Sequence, residues 1–260
     1  EPAAQGKDTA MPAPKNLLKD RLMAKTRSVG CWVTLAHGYG AEVAATAGFD
    51  WLLIDGEHAP NDIRSILAQL QALGDVPTAV RLPDQDPIKI KQVLDIGAQT
   101  LLVPVVESGD QARALVDAYR YPPRGKRGVG ASLARASRFG AIADYVATAD
   151  DEICLIVQVE NRAGIAALDE ILAVDGVHGV FLGPADLAAD MGLKPGDDAV
   201  KAAVLDTIAR IAASPKFAGV FSGDQAFLKE AEAAGATMLA VGADIVMLAQ
   251  ALRARVAAWR

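Results

Sequence analysis

Glu160 and Asp186 are the residues of this sequence best placed to share a divalent cation. Each follows a short apolar run, Ile153 to Val159 and Gly179 to Leu182. If those runs form neighbouring parallel strands, about 4.8 Å apart, both carboxylates reach one point above the strand ends. Oxygen ligands with no Cys or His pair at zinc spacing select a hard ion, Mg2+ or Mn2+ with Co2+ as a further candidate, its shell completed by water or substrate oxygens. The competing reading is that each carboxylate caps the helix that follows it.

Other polar groups fall at the ends of similar runs. Asp55-Gly56-Glu57-His58 closes the run Trp51 to Asp55, a spacing that lets the Asp55 carboxylate hold the His58 imidazole in one tautomer as a general base. An exposed histidine in a polar turn is the plainer alternative. Arg81 ends Thr78 to Leu82, and an arginine leaving a buried strand needs an anion, either a substrate oxygen or an internal partner such as Asp55 or Glu57. Gln158 precedes Glu160, and Gly183-Pro184-Ala185 opens a helix whose first N–H groups suit a carboxylate. Trp32, Tyr39 and Phe221 stand where they could shape a pocket for a second substrate, although a tryptophan within a strand is more often core. The segment Tyr121 to Gly140 holds five basic residues and no acid, which points either to a solvated surface or to attraction of an anionic substrate.

These residues need a scaffold that brings strand ends together. Brief apolar runs alternate with helix-period segments eight times: Val29 to Leu35, Trp51 to Asp55, Thr78 to Leu82, Thr100 to Val106, Ile153 to Val159, Gly179 to Leu182, Ala218 to Phe221 and Thr237 to Val241. Near-continuous apolarity marks parallel strands buried on both faces. Eight such cycles in 260 residues predict an α/β fold, a (β/α)8 TIM barrel. A doubly wound sheet lacks its G-x-G-x-x-G signature here. Residues 11–260 read as one domain, and residues 1–10 as a cloning remnant. With 52% hydrophobic and 22% charged residues the chain can bury a large core. Its net charge of -6 argues against nucleic acid and anionic membrane partners. No stretch is long and apolar enough to span a bilayer, and Cys31 and Cys154 sit in apolar runs as reduced thiols, so a cytoplasmic location is expected. His178 precedes a strand and belongs to the opposite rim, while Lys89 and Lys91 fall in a helix, leaving no strand-end lysine for a Schiff base. The stretch Ile245 to Trp259 is apolar around much of its circumference and needs burial.

The segment Gly48 to Asn61 (GFDWLLIDGEHAPN) closely resembles the corresponding stretch of the HpcH/HpaI aldolases, class II pyruvate aldolases. Thr100 to Val106, Arg120 to Gly130, Gln158 to Glu160 and Gly179 to Gly192 resemble the same family in order, from about Asn16 to the C-terminus. Among its members the likeness is nearest to those that cleave 4-hydroxy-2-oxoheptanedioate. The resemblance implies metal-dependent, reversible cleavage of 4-hydroxy-2-oxo acids to pyruvate, or a related 2-oxo acid, and an aldehyde through a metal-stabilised enolate. It implies Glu160 and Asp186 as metal ligands, Arg81 on the keto or enolate oxygen, and His58 with Asp55 as the acid/base dyad. Gln158 and the Gly183, Pro184 and Ala185 backbone would receive the pyruvate. It further implies a homohexamer, a trimer of dimers that exchanges the last helix between subunits. The chain departs from the family before Arg81 and at Phe221-Ser222-Gly223, which bears on the aldehyde.

Three other readings compete. A malyl- or citramalyl-thioester lyase of the same superfamily would need a coenzyme A segment, and none stands out. A phosphate-binding barrel isomerase would use Phe221 to Gly223 and Val241-Gly242 as an anion cradle without a metal. A non-catalytic, oligomerising binding protein would bind ligand without turnover.

Overall fold

The computed structural model describes residues 11–260; the segment read as a remnant lies outside the described residues. Eight parallel strands close in sequence order into a barrel: β1 Ser28–Val33, β2 Trp51–Asp55, β3 Thr78–Arg81, β4 Thr100–Val103, β5 Cys154–Val159, β6 Gly179–Leu182, β7 Phe217–Phe221 and β8 Ala236–Ala243. The helices are α1 Leu17–Met23, α2 Gly38–Ala45, α3 Ile63–Leu73, α4 Pro87–Asp95, α5 Gly109–Tyr119, α6 Tyr145–Thr148, α7 Arg162–Ala166, α8 Leu168–Leu172, α9 Pro184–Asp190, α10 Asp198–Ala212, α11 Gln225–Ala233 and α12 Asp244–Ala257. Local chemistry sets their starts. Asp62 and Ser65 form a capping box on α3, Asp86 caps α4 ahead of Pro87, and Ser108, Asn161 and Asp224 accept N–H groups at the starts of α5, α7 and α11.

The core has two shells. Between strands and helices lie residues such as Val33, Ile54, Val80, Leu101, Val157 and Leu182, all buried. Inside the barrel lie Trp51, Leu53, Leu102, Ile156, Phe181, Phe217 and Met238, closed from the N-terminal rim by Leu18 and Leu22 of α1. Gly30 faces the Trp51 ring, Gly179 that of Phe217 and Gly219 that of Phe181, each so closely that a Cβ would collide. Aromatic bulk therefore requires glycine on the facing strand. At the other rim the Thr34 N–H and hydroxyl donate to Asp244 at 2.8 and 2.6 Å, tying β1 to the start of α12.

The basic segment lies at the N-terminal rim, away from the strand ends that carry the polar set. Arg135 donates to the Ile96 carbonyl at 2.9 Å, and Arg138 and Phe139 flank a groove with Thr78 and Gln99. Arg124 pairs with Asp150 and Asp151 at 3.0 and 3.2 Å, Lys126 with Asp117 at 2.7 Å, and buried Arg127 with Asp95 at 2.7 Å. These charges hold the loop to its own barrel. The expectation that the loop attracts substrate is corrected accordingly.

His178 sits at the same rim, its Nδ1 accepting the Leu155 N–H at 3.1 Å. Burial, with the positive charges of Lys19, Lys216 and Arg120 nearby, holds its pKa down to about 3. A pKa depressed on folding adds stability above the unfolded value of 6.5, and that stability is lost as pH falls toward 3. We expect urea unfolding between those limits to show that His178→Asn flattens the acid slope by about 1.4 kcal/mol per pH unit. An unchanged slope would mean that His178 titrates alike in both states. No residue of α12 is buried, and Ile245, Val246, Leu248, Leu252 and Val256 are exposed. Among the described residues no helix is long and apolar enough to cross a membrane.

Candidate active site

Parallel closure puts the last residue of every strand on one rim, and there a cavity of about 400 Å3 opens, lined by Trp32, His58, Arg81, Gln158, Gly183 to Asp186 and Phe221 among others. The register Val159↔Leu182 sets Glu160 beside Gly183, so strands five and six are neighbours as the sequence requires. Glu160 is buried. Its Oε1 accepts the Val105 N–H at 2.9 Å, and its Oε2 accepts the Gln158 amide. Burial pushes the Glu160 carboxyl up to about 7, opposed by the Val105 N–H and reinforced by the negative charges of Asp186 and Glu57. Asp186 is exposed in the first turn of α9 and lines the cavity.

Arg81 is the most heavily bonded group of the rim. Its Nε and Nη2 each donate to an Asp55 carboxylate oxygen at 2.8 Å, and its Nη1 lies 2.6 Å from Glu57 Oε2. Its guanidinium carbon stacks 4.1 Å from the Trp32 ring centroid. The internal partners weighed for Arg81 are therefore both present. This corrects the expected dyad: the two Asp55 oxygens are on Arg81, and Asp55 meets His58 only through the backbone N–H, at 3.4 Å. The exposed imidazole has Glu57 as its nearest carboxylate, Nε2 to Oε1 at 4.0 Å. Burial raises the Glu57 carboxyl, with Arg81 and His58 acting against it.

Trp32 is both core and lining. It is buried, its ring 5.0 Å from that of Phe221 and 6.1 Å from that of Phe181, and its Nε1 has no partner. Gly183 caps α9 without a side-chain bond, and Pro184 and Ala185, which open that helix, line the cavity. Glu57, Phe181, Lys201 and Asp224 were not singled out from sequence as site residues. Glu57 lay within the Asp55 to His58 segment, whereas Lys201 and Asp224 lie in helix starts, where strand-end reasoning gives no signal.

The residues present fit a divalent cation. A Cβ at Gly183 would stand 2.7 Å from Glu160 Oε2, so glycine keeps that carboxylate face open, and buried Gln158 Oε1 lacks a partner. Among the described residues no group of three or more His, Cys, Asp or Glu converges, so a cation held here would take its remaining ligands from water and substrate.

A closed parallel barrel with carboxylates and an arginine gathered at its C-terminal rim defines a barrel enzyme of the kind that stabilises oxyanions. The HpcH/HpaI aldolase/citrate lyase family model matches residues 28–251, and the chain belongs to that family. It is 57% identical over 256 residues to a hydroxypyruvate/pyruvate aldolase of Roseovarius nubinhibens, covering 96% of this chain and 99% of the relative. It is 50% identical to a 4-hydroxy-2-oxo-heptane-1,7-dioate aldolase of Salmonella arizonae, covering 92% and 93%. A family crystal structure from Burkholderia cenocepacia superposes with a TM-score of 0.90 at 37% identity, covering 95% of this chain and 100% of the other. The protein CitE from Mycobacterium tuberculosis, solved with magnesium and pyruvate, shares the fold at 21% identity and a TM-score of 0.58, covering 85% and 86%.

Proposed function

We infer that this protein is a class II aldolase that reversibly cleaves 4-hydroxy-2-oxo acids to pyruvate, or a related 2-oxo acid, and an aldehyde. The observation that carries the reading is the buried Glu160 carboxylate, close to Gly183 and within reach of the Asp186 charge, at the edge of a cavity lined by Arg81, Gly183 and Asp186, in a chain of an aldolase family. Glu160 and Asp186 would hold Mg2+ or Mn2+. Bound there, the cation supplies Lewis acidity that draws charge from the substrate oxygens and acidifies the carbon next to the keto group. The magnesium and pyruvate bound by the Mycobacterium tuberculosis protein agree with that chemistry.

The side chains divide the remaining work. Arg81, held from behind by Asp55 and Glu57, presents its charge to the keto or enolate oxygen. Gln158 and the Ala185 N–H receive the carboxylate end. His58, exposed at the rim and acting through water, takes the 4-hydroxyl proton in cleavage and returns it in addition. Asp55 acts as a positioning residue for Arg81. Lys89 and Lys91 both lie in α4, and among the described residues no strand ends in a lysine that would compete with this enolate route.

The exposed apolar side chains of α12 support an assembly in which that helix is covered by a neighbouring subunit, as a trimer of dimers. The reading is tested by release of pyruvate from 4-hydroxy-2-oxo acids in a lactate dehydrogenase-coupled assay. Mg2+- or Mn2+-dependent release supports it; turnover of citramalyl-thioester without release from the free acid would favour the thioester lyase.

A further inference from the structure

Among the described residues Val105 is the one β-branched side chain carried on a left-handed backbone, with φ of 55°. That conformation crowds the Cβ of any L-residue, and a β-branched one most. Side-chain packing does not impose it, because Val105 is 43% exposed in the turn between β4 and α5. The backbone bonds do. The Val105 N–H donates to Glu160 Oε1 at 2.9 Å, and the next N–H, that of Val106, donates to the Gln158 carbonyl at 3.0 Å. From the opposite side Gln85, in the turn after β3, donates its side-chain amide to the Val105 carbonyl at 2.7 Å and to the Pro104 carbonyl at 3.2 Å. Two successive carbonyls on one amide, and two successive N–H groups on the end of β5, leave the strained residue one orientation. The same orientation fixes Glu160: with Oε1 held by Val105, Oε2 lies toward Gly183, where a Cβ would stand 2.7 Å from it.

Resting on the aldolase reading, we propose that Gln85 is a positioning residue for the cation site: it holds Val105 left-handed, and the Val105 N–H in turn holds the Glu160 carboxylate in the pose that serves the ion. Gln85 does not line the cavity, so it acts through Val105. Without the amide the strained turn relaxes in most molecules, and only the remainder carries a correctly held Glu160. The apparent affinity for the cation falls by that fraction, whereas turnover at saturating cation recovers, because binding draws the population back.

The test measures Mn2+ binding, read from the electron paramagnetic resonance of the free ion, in the wild type, Gln85→Met, Val105→Gly and the double variant. Gln85→Met keeps the length of the side chain and removes the donor. Its Kd for Mn2+ is expected to rise about 10-fold, the loss of roughly nine-tenths of the competent population, while kcat for retro-aldol cleavage at saturating Mn2+ stays within about threefold of the wild type. Glycine adopts positive φ without steric cost, so the clamp matters less once the strain is gone. In the Val105→Gly background, adding Gln85→Met is therefore expected to raise the Kd by less than about threefold. An unchanged Kd in Gln85→Met would overturn the assignment, as would a loss of the same size in both backgrounds, which would make Gln85 a support of the turn with no link to the strain at Val105. A fall in kcat at saturating Mn2+ with an unchanged Kd would place Gln85 on the substrate and overturn it equally. The wild-type protein separates the two levels of inference. If it binds no Mn2+, the cation-dependent reading fails and the proposal with it, whereas binding that Gln85→Met leaves unaltered removes only the role of Gln85.

Discussion

Glu160→Gln is expected to lower kcat/KM for retro-aldol cleavage about 10²- to 10³-fold, the loss of several kcal/mol of charge stabilisation when one of two carboxylates at a cation is neutralised. The fold has no reason to suffer. Glutamine retains an oxygen for the Val105 N–H that now bonds Glu160 at 2.9 Å. Burial already raises the carboxyl to about 7, so in chelator-treated protein the ionised form is the unfavourable one. The sign follows from linkage: stability due to a group with a raised pKa is complete below its ordinary value of 4.5 and lost as pH rises through about 7. At pH 8 with EDTA the variant should therefore melt no lower than the wild type. Steady-state kinetics with added Mg2+ and a thermal melt with EDTA check both halves; near-normal turnover would remove Glu160 from the cation site.

The second large effect concerns Arg81. Arg81→Lys preserves charge but cannot make the paired bonds to Asp55 or the stack on Trp32, and kcat/KM is expected to fall about 10²-fold. Arg81→Met goes further, leaving the buried Asp55 carboxylate without its cation at an expected cost of about 3–5 kcal/mol. Adding Asp55→Asn removes the stranded charge, so the double variant should be more stable than the sum of the single losses predicts. Urea denaturation of the four proteins measures this coupling. Strict additivity would mean that the Asp55 carboxylate does not depend on Arg81, and would reopen its assignment to His58.

That reassignment shows what sequence carries and what it omits. The strand ends were legible because buried parallel strands are apolar and stop at polar residues: Trp51–Asp55 and Gly179–Leu182 match the expected runs, and the other six differ by a few residues at their ends. Strand order then fixed which residues share a rim. Three residues of spacing between Asp55 and His58 allowed a contact but did not decide it. Arg81, delivered by the adjacent strand in register with Asp55, took both carboxylate oxygens instead. The basic loop misled for a related reason. Its clustered charge was visible, but the acids that neutralise it come from α4, α5 and the segment before β5. Lys201 was hidden because its position follows from where α10 begins against β6 and β7, which no local pattern specifies.

The most direct test of the central claim is proton NMR of pyruvate in D2O with the wild-type protein, first with Mg2+ or Mn2+ and then with EDTA. The account predicts methyl exchange in the absence of any aldehyde, abolished by EDTA and restored by the metal, because enolisation at the cation precedes carbon-carbon bond formation. Folded, metal-loaded protein that leaves the methyl protons in place would contradict it.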